Sequence, residues 1–463
     1  MDVVIVGAGL AGLTLARRLC REGVRAVLVE REDAVGGLAR SFSYANGATF
    51  DIGPHRFHTE DPAVLAFVNE VLGDNSLRIR RNSELFLFDQ YLPWPLNWKS
   101  VLALPPQFLA AAACDLVRPR KARTESLEDY IVEKYGRTLY KIFFQPYTER
   151  FLDYECANLH RDWAITGIDR ATIDRRFDSS SIGGVIRSTL FPPAGTTEFI
   201  YPETGGIGSF AELLAADILR YGGRILLSDE PERFLTAGGA VTGVVTRQGA
   251  EIPADHVFWT GNLQSLRTLG DAPEAVPRLH FISTVLFNYV TGHRAGRDFQ
   301  WCYFGERDMK ISRICLPRNF SPSNTPAGRE ALCVEMSCPE GSSLWRDPAR
   351  WDCVVETFLL KARLLDSLDS VDSYHVEWIR DTYPVYVLNY RRKLQGMLDW
   401  VHGKWPNLSM LGRTARFWYN NMDHSIAASL RAADLFLEDH RAGRHRDGGH
   451  YEAEDRFFKG TAP

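Results

Sequence analysis

No two of the eight cysteines form a CxxC pair, and no histidine–cysteine spacing suits zinc. The cysteines stand at positions 20, 114, 156, 302, 315, 333, 338 and 353. In so long a chain they read as reduced, mostly buried thiols of a cytoplasmic protein. No apolar run reaches about 18 residues, so no helix is expected to span a membrane. The nearest approach, Phe108-Leu109-Ala110-Ala111-Ala112-Ala113, runs into Cys114-Asp115 and reads as a buried helix. No basic leader precedes the first apolar run, so no secretory signal is expected. Positive charge is not in excess. Lys and Arg number 54 against 58 Asp and Glu, a net −4 that argues against a nucleic-acid surface. What remains is 463 residues, 45% hydrophobic and 24% charged. That is enough chain for two or three domains of ordinary soluble composition.

The most informative stretch comes first. Val3-Val4-Ile5-Val6 is wholly apolar, Gly7-Ala8-Gly9-Leu10-Ala11-Gly12 follows, and Leu13, Leu15, Ala16 and Leu19 repeat at helical spacing. A second apolar run, Ala26-Val27-Leu28-Val29, ends in Glu30. Strand, glycine turn, helix, strand and acid form a dinucleotide-binding fingerprint in its required context. Gly7 suits the tight turn, Gly9 lets backbone approach a pyrophosphate, and Gly12 lets helix and strand pack closely. The helix N-terminus presents unpaired amides to phosphate. Glu30 can accept hydrogen bonds from a ribose, and its charge argues against NADP.

Arg31-Glu32-Asp33-Ala34-Val35-Gly36-Gly37-Leu38-Ala39-Arg40-Ser41 comes next. This second glycine pair is similar to the pattern of the flavoproteins that include amine oxidases, protoporphyrinogen oxidase and UDP-galactopyranose mutase. There the segment wraps FAD. The resemblance therefore implies FAD, held by Gly7, Gly9, Leu10, Ala11, Gly12, Glu30, Arg31, Gly36, Gly37 and Leu38. It sharpens at Gly53-Pro54-His55-Arg56-Phe57-His58-Thr59, which resembles a Gly-Pro-His-x-Phe-His-Thr segment of the mutases. That segment lies against their flavin ring, which implies cofactor contacts at Pro54, His55, Arg56 and Phe57. A histidine there can hydrogen-bond the isoalloxazine. His55 is read that way, and His58 as a core or capping histidine. Asp61-Pro62 opens a helix with an apolar stripe.

Leu85 to Phe88 and Tyr91 to Leu96 read as a strand or hairpin with a proline-rich turn. The segment after residue 100 reads as helical, with Thr124 as N-cap of a helix over 125–132. Gly136-Arg137 with Leu139-Tyr140, then Tyr147-Thr148-Glu149, resemble elements of the mutases' helical insertion. One departure is clear. The mutases continue to a Trp-Gly, a wall of their substrate site, whereas here Arg150-Phe151-Leu152-Asp153 follows. Trp163 either compensates or belongs to the core. Three short strands over 224–228, 240–246 and 255–260 suit a ribbon beside the parallel sheet, and Thr260-Gly261-Asn262 sits where family members end a strand near the cofactor.

Ile311 to Leu316 reads as a strand buried on both faces. Its Arg313 matches by position an arginine that the family projects toward flavin and sugar diphosphate. A buried arginine needs an anion, and a substrate diphosphate or an internal carboxylate would each serve. Tyr383-Pro384-Val385-Tyr386 resembles a stretch lining the mutases' cleft, and Gly412-Arg413 through Tyr419 to Met422-Asp423 resembles their ending. Asn421 stands where they have aspartate; it keeps capping ability but drops a charge. The resemblance implies cofactor contacts at Gly412, Asn421, Met422 and Asp423. It implies substrate contacts at Trp163, Tyr201, Arg313, Tyr383, Tyr386, Arg413 and Tyr419, with His55, Arg313 and Arg413 catalytic.

The fold so implied is α/β: a Rossmann-type FAD-binding domain with a helical insertion domain and an antiparallel β-sheet substrate domain. The cofactor domain would use residues 1–75, 196–265 and 391–440, the mainly helical insertion 76–195, and the sheet 266–390, with 441–463 a flexible tail. The function implied is a mutase interconverting pyranose and furanose forms of a UDP-, GDP- or TDP-linked hexose. Reduced FAD would act through N5 as nucleophile on the anomeric carbon, with an external reductant such as NAD(P)H. A homodimer is compatible with this reading. The alternative is an FAD-dependent oxidase or dehydrogenase of a small sugar or secondary-metabolite substrate. A third is a flavin-binding protein without catalysis.

Overall fold

The computed structural model describes residues 2–94, 103–117, 121–168, 198–292, 295–307 and 309–452. Its cofactor-side unit is a five-stranded parallel sheet in the order Leu408–Met410, His256–Trp259, Asp2–Val6, Arg25–Val29, Arg224–Leu226. Val4, Ile5 and Leu28 are fully buried, as expected of strands covered on both faces. Helices Leu10–Arg21, Gly208–Arg220 and Met422–Arg441 pack together on one side. Two of the three strands expected as a ribbon, Arg224–Leu226 and His256–Trp259, belong to the parallel sheet itself. Ala240–Thr246 alone joins a separate antiparallel ribbon with Pro231–Ala237 and Glu251–Pro253.

The second layer is a seven-stranded sheet in the order Val371–Val385, His280–Thr291, Glu330–Cys338, Arg313–Cys315, Trp301–Phe304, Ser83–Leu87, Gln90–Trp94. The Ser83–Leu87 and Gln90–Trp94 hairpin comes from the segment read as mainly helical, and it extends the sheet through a parallel pairing with Trp301–Phe304. Opposite Ile282 and Thr284 the register of Val371–Val385 shifts by a bulge, where Asp381 adopts φ 53°. The proline-rich turn after Trp94 lies partly outside the described residues.

Helices Pro106–Val117, Leu127–Leu139 and Gln145–Leu152 form the insertion, the last two joined by a wide helical turn at Tyr140–Phe144. Three expectations are corrected here. Ala110 and Ala111 are exposed, because the first helix covers the surface rather than filling a core. Ser126, not Thr124, caps Leu127–Leu139. Its hydroxyl accepts from the Asp129 amide at 3.1 Å, while Thr124 donates to Asp129. After Ala442 the chain is exposed to Asp447, then packs against the fold through Gly448, Tyr451 and Glu452. Tyr451 is buried, and the Glu452 carboxylate accepts from the Met410 amide at 2.9 Å and pairs with His402 and Arg416. Two parts of the sequence reading hold. Asp61 caps Pro62–Leu72 by accepting from Ala63 and Val64 amides. The cysteines form no disulfide, and all but Cys114 and Cys353 are buried. Among the described residues no helix is long and apolar enough to cross a membrane, and no group of histidine, cysteine and acidic side chains could hold a metal ion.

Candidate cofactor and substrate site

A cavity of about 530 Å³ runs from the C-terminal edge of the parallel sheet toward the face of the large one. Its first end is built by the glycine fingerprint. Gly7 takes φ 100°, a conformation side-chain-bearing residues avoid. A Cβ on Gly12 would sit 2.1 Å from the Gly7 carbonyl, so this position is closed by the protein itself. Gly9 differs, since a Cβ there would meet nothing nearer than Gly37 Cα at 3.9 Å. Gly9 begins the helix Leu10–Arg21 without a side-chain cap, so first-turn amides face the cavity. The two glycine segments touch, the Gly36 amide donating to the Ala8 carbonyl at 2.8 Å. Glu30 braces this turn by accepting from the Ala8 amide at 2.6 Å and the Glu32 amide at 3.0 Å while lining the cavity.

Arg31, Gly37, Leu38, Gly412 and Met422 also line the cavity, as does Thr260, whose hydroxyl donates to the carbonyls of Val6 and Gly7. Arg40, Asn420, Ser425 and the bulge residues Ile379 to Asp381 line it without having been expected. The bulge has no sequence signature short of the strand pairing that reveals it.

The far end is set by Gly53. It takes φ 71°, and a Cβ on it would stand 2.1 Å from Glu335 Oε1. The loop thereby packs against an ion pair at the centre of the large sheet. Arg313 donates from Nε to Glu335 Oε1 at 3.0 Å and from Nη2 to Oε2 at 2.7 Å; Nη2 also reaches the Tyr383 hydroxyl at 3.2 Å. Of the two partners the sequence allowed, the internal carboxylate is the one present. Glu335 was not anticipated, because a glutamate in an apolar strand gains meaning only through its register.

Arg413 is held differently. Its guanidinium lies 4.6 Å from the Tyr383 ring centre and 4.7 Å from that of Tyr419, and Nη1 donates to the Asn420 carbonyl at 3.4 Å. Among the described residues, Nε and Nη2 are buried without a hydrogen-bond partner. His55 borders the same space, and its Nδ1 is likewise buried and without a partner among the described residues. Burial, with Arg413 and Arg313 nearby, pushes the imidazole pKa down to about 3, so the ring is neutral. Trp163 stacks on Tyr419 at 4.7 Å, and Tyr386 accepts from the Tyr419 amide at 2.8 Å. Trp163 is thus a buried member of the wall around Arg413. Where Trp-Gly was absent, Leu152 is fully buried and Arg150 ties the insertion to the carbonyls of Glu306, Met309 and Phe304.

Several expected contacts lie elsewhere. Tyr201 is core, its hydroxyl bonded to Asp51 at 2.7 Å and Asn324 at 2.9 Å. Phe57 is buried against Phe210. Pro54, Arg56 and Asp423 do not border the cavity, nor does Asn421, which is exposed and starts Met422–Arg441 without a side-chain cap. His58 is exposed, its Nδ1 3.3 Å from the Glu198 carbonyl.

A dinucleotide fits these residues. The cradle at Gly9 is open where Gly12 is closed, the Glu30 carboxylate lines the cavity beside the loop, and His55 lines it as well. A family model described as flavin containing amine oxidoreductase matches residues 10–437. A Klebsiella pneumoniae protein described as a probable UDP-galactopyranose mutase is 28% identical over 455 residues, 94% of this chain and 94% of that protein. A phytoene dehydrogenase of Streptomyces griseus is 28% identical over 399 residues, 74% of this chain and 75% of that one. The crystal structure of a reduced UDP-galactopyranose mutase shares the fold at a TM-score of 0.79 and 21% identity, covering 94% of this chain and 95% of the other.

Proposed function

The chain belongs to the flavin-containing amine oxidoreductase family, and within it we propose a nucleotide-sugar mutase that interconverts pyranose and furanose rings. One observation carries the reading: two buried guanidinium nitrogens of Arg413, unpartnered among the described residues and set between Tyr383 and Tyr419 at the end of a dinucleotide cavity. A fixed arginine fork suits a diphosphate, bidentate and charge-assisted. An apolar substrate would leave those donors unpaired at a cost of about 1–3 kcal/mol or more. The full-length similarity to a probable UDP-galactopyranose mutase supports the same class.

FAD, held by the glycine loops and Glu30, would supply the reacting nucleophile in its reduced form. The chain supplies position and electrostatics. Arg413 binds the diphosphate and stabilises the charge that grows on it as the glycosidic bond breaks. Arg313, neutralised by Glu335, holds the Tyr383 hydroxyl and Gly53 in place rather than serving as a free cation. Neutral His55 offers a hydrogen bond toward the cofactor without adding positive charge.

The test is turnover of UDP-, GDP- and TDP-hexoses after dithionite reduction, with product analysed for an isomer of equal mass. Isomerisation by reduced protein and none by oxidised protein is expected. Oxygen consumption with peroxide release would establish an oxidase instead.

A further inference from the structure

Arg56 follows His55 directly, yet it does not border the cofactor cavity. Its guanidinium lies 4.3 Å from the centre of the fully buried Trp301 ring and 6.0 Å from that of Phe199. Arg81 lies over the same indole at 5.3 Å and donates to Ser83 at 3.1 Å. Among the described residues Arg56 has no hydrogen-bond or ion-pair partner. Burial and the neighbouring Arg81 draw its pKa down to about 10, which leaves it charged at neutral pH. Arg56 is half-buried, and a cation partly withdrawn from water without a counterion is costly, with stacking on one indole offsetting only part of that cost.

The surroundings locate this charge. Trp301 and Tyr303 point to one face of the Trp301–Phe304 strand, about 7 Å apart. Arg313 sits opposite Tyr303 in register, with its centre 6.0 Å from that ring. The face thus presents a row: Arg413 among its tyrosines, the neutralised Arg313–Glu335 pair, then Arg56 and Arg81 on Trp301. Arg413 suffices for the diphosphate, and Glu335 already offsets Arg313. Arg56 calls for a different anion.

We propose that Arg56, on its Trp301 shelf beside Arg81, is a specificity-determining subsite for a carboxylate on the sugar, so that the preferred substrate is an acidic nucleotide sugar, a uronate. The inference rests on the nucleotide-sugar reading above. It predicts that removing Arg56 changes discrimination between sugars and leaves the diphosphate site untouched.

The experiment measures binding of UDP, UDP-galactose and UDP-galacturonate, and of GDP-mannose and GDP-mannuronate, to dithionite-reduced wild type, Arg56→Met and Arg56→Lys. One wild-type pair should favour its acidic member by roughly tenfold or more, as one charge-assisted contact provides. Arg56→Met should erase that preference, with affinity for the neutral member within about twofold of wild type, and Arg56→Lys should restore part of it. The Arg56→Met protein should melt no earlier than wild type, since an unpaired charge has been removed. Arg56→Gln, which keeps a polar group over the indole, gives the same reading should Arg56→Met melt early. Equal affinity for acidic and neutral members overturns the inference and spares the nucleotide-sugar reading. So does an equal loss for all ligands in Arg56→Met, which would place Arg56 on the diphosphate. Binding of no nucleotide by any form overturns both.

Discussion

Arg313 and Glu335 face each other in register on adjacent strands and share two hydrogen bonds, with side chains only 13% and 3% exposed. Removing one partner leaves a buried charge uncompensated. Arg313→Met or Glu335→Leu alone is therefore expected to cost about 3–5 kcal/mol of stability. Replacing both, as Arg313→Met with Glu335→Leu, should recover much of that loss. Melting temperatures of the four proteins, read as a double-mutant cycle, decide the matter. Single variants that melt with the wild type would show that the pair bears no structural load.

Arg413 predicts the reverse pattern. It has no carboxylate partner among the described residues, so Arg413→Met should fold normally and retain FAD. Its kcat/KM should fall on the order of a hundredfold, as when one transition-state donor is removed. Arg413→Lys should recover a minor part, because an ammonium cannot present a planar fork between two rings. Unchanged kinetics in Arg413→Met would remove the diphosphate from this position.

Gly9 and Gly12 separate binding from folding. Gly12→Ala places a methyl 2.1 Å from the Gly7 carbonyl and should yield little folded protein. Gly9→Val puts a Cβ only in ordinary contact with Gly37 Cα at 3.9 Å and should fold, yet lose the cofactor whose approach it blocks. Flavin absorbance per folded molecule, with folding followed by circular dichroism, distinguishes the two. A yellow Gly9→Val protein would place the pyrophosphate elsewhere.

His55 carries a pH prediction. Its folded pKa of about 3 lies below the ordinary 6.5, so the unfolded chain binds the extra proton between those values. The stability it contributes is complete above pH 6.5 and is lost as pH falls toward 3. Wild type should thus lose melting temperature across this window faster than His55→Gln. Over the same window the wild-type rate should show no limb from imidazole protonation. Parallel melting curves for the two proteins would contradict a neutral, desolvated ring.

The parts legible in the sequence are those whose meaning is local. Gly7, Gly9, Gly12 and Glu30 lie within one strand–helix–strand unit; Gly7, Gly9 and Glu30 line the cavity, and Gly12 packs beneath it against the Gly7 carbonyl. Arg413 was expected from the resemblance of Gly412-Arg413 through Tyr419 to the mutases' ending. What the sequence hid depends on distant pairing. Glu335 is intelligible only opposite Arg313, and Asp381 reaches the cavity only because a bulge turns its strand. Tyr201 and Phe57 sit in segments that resemble binding motifs, but each turns its side chain into the core. The polar run after Ala442 looked unstructured because its anchors, His402, Met410 and Arg416, precede it by some 40 residues.

The order of the parallel sheet bears on how the protein is made. Asp2–Val6 precedes its neighbour His256–Trp259 by about 250 residues, and the sheet is completed on that side only by Leu408–Met410. Helix Leu10–Arg21, which aims the glycine loop, packs against Met422–Arg441. Such non-local pairing slows folding and leaves strand edges open during translation. A chain short of residue 408 therefore has the fingerprint but no finished cradle, and cofactor capture waits on a strand about 400 residues further along.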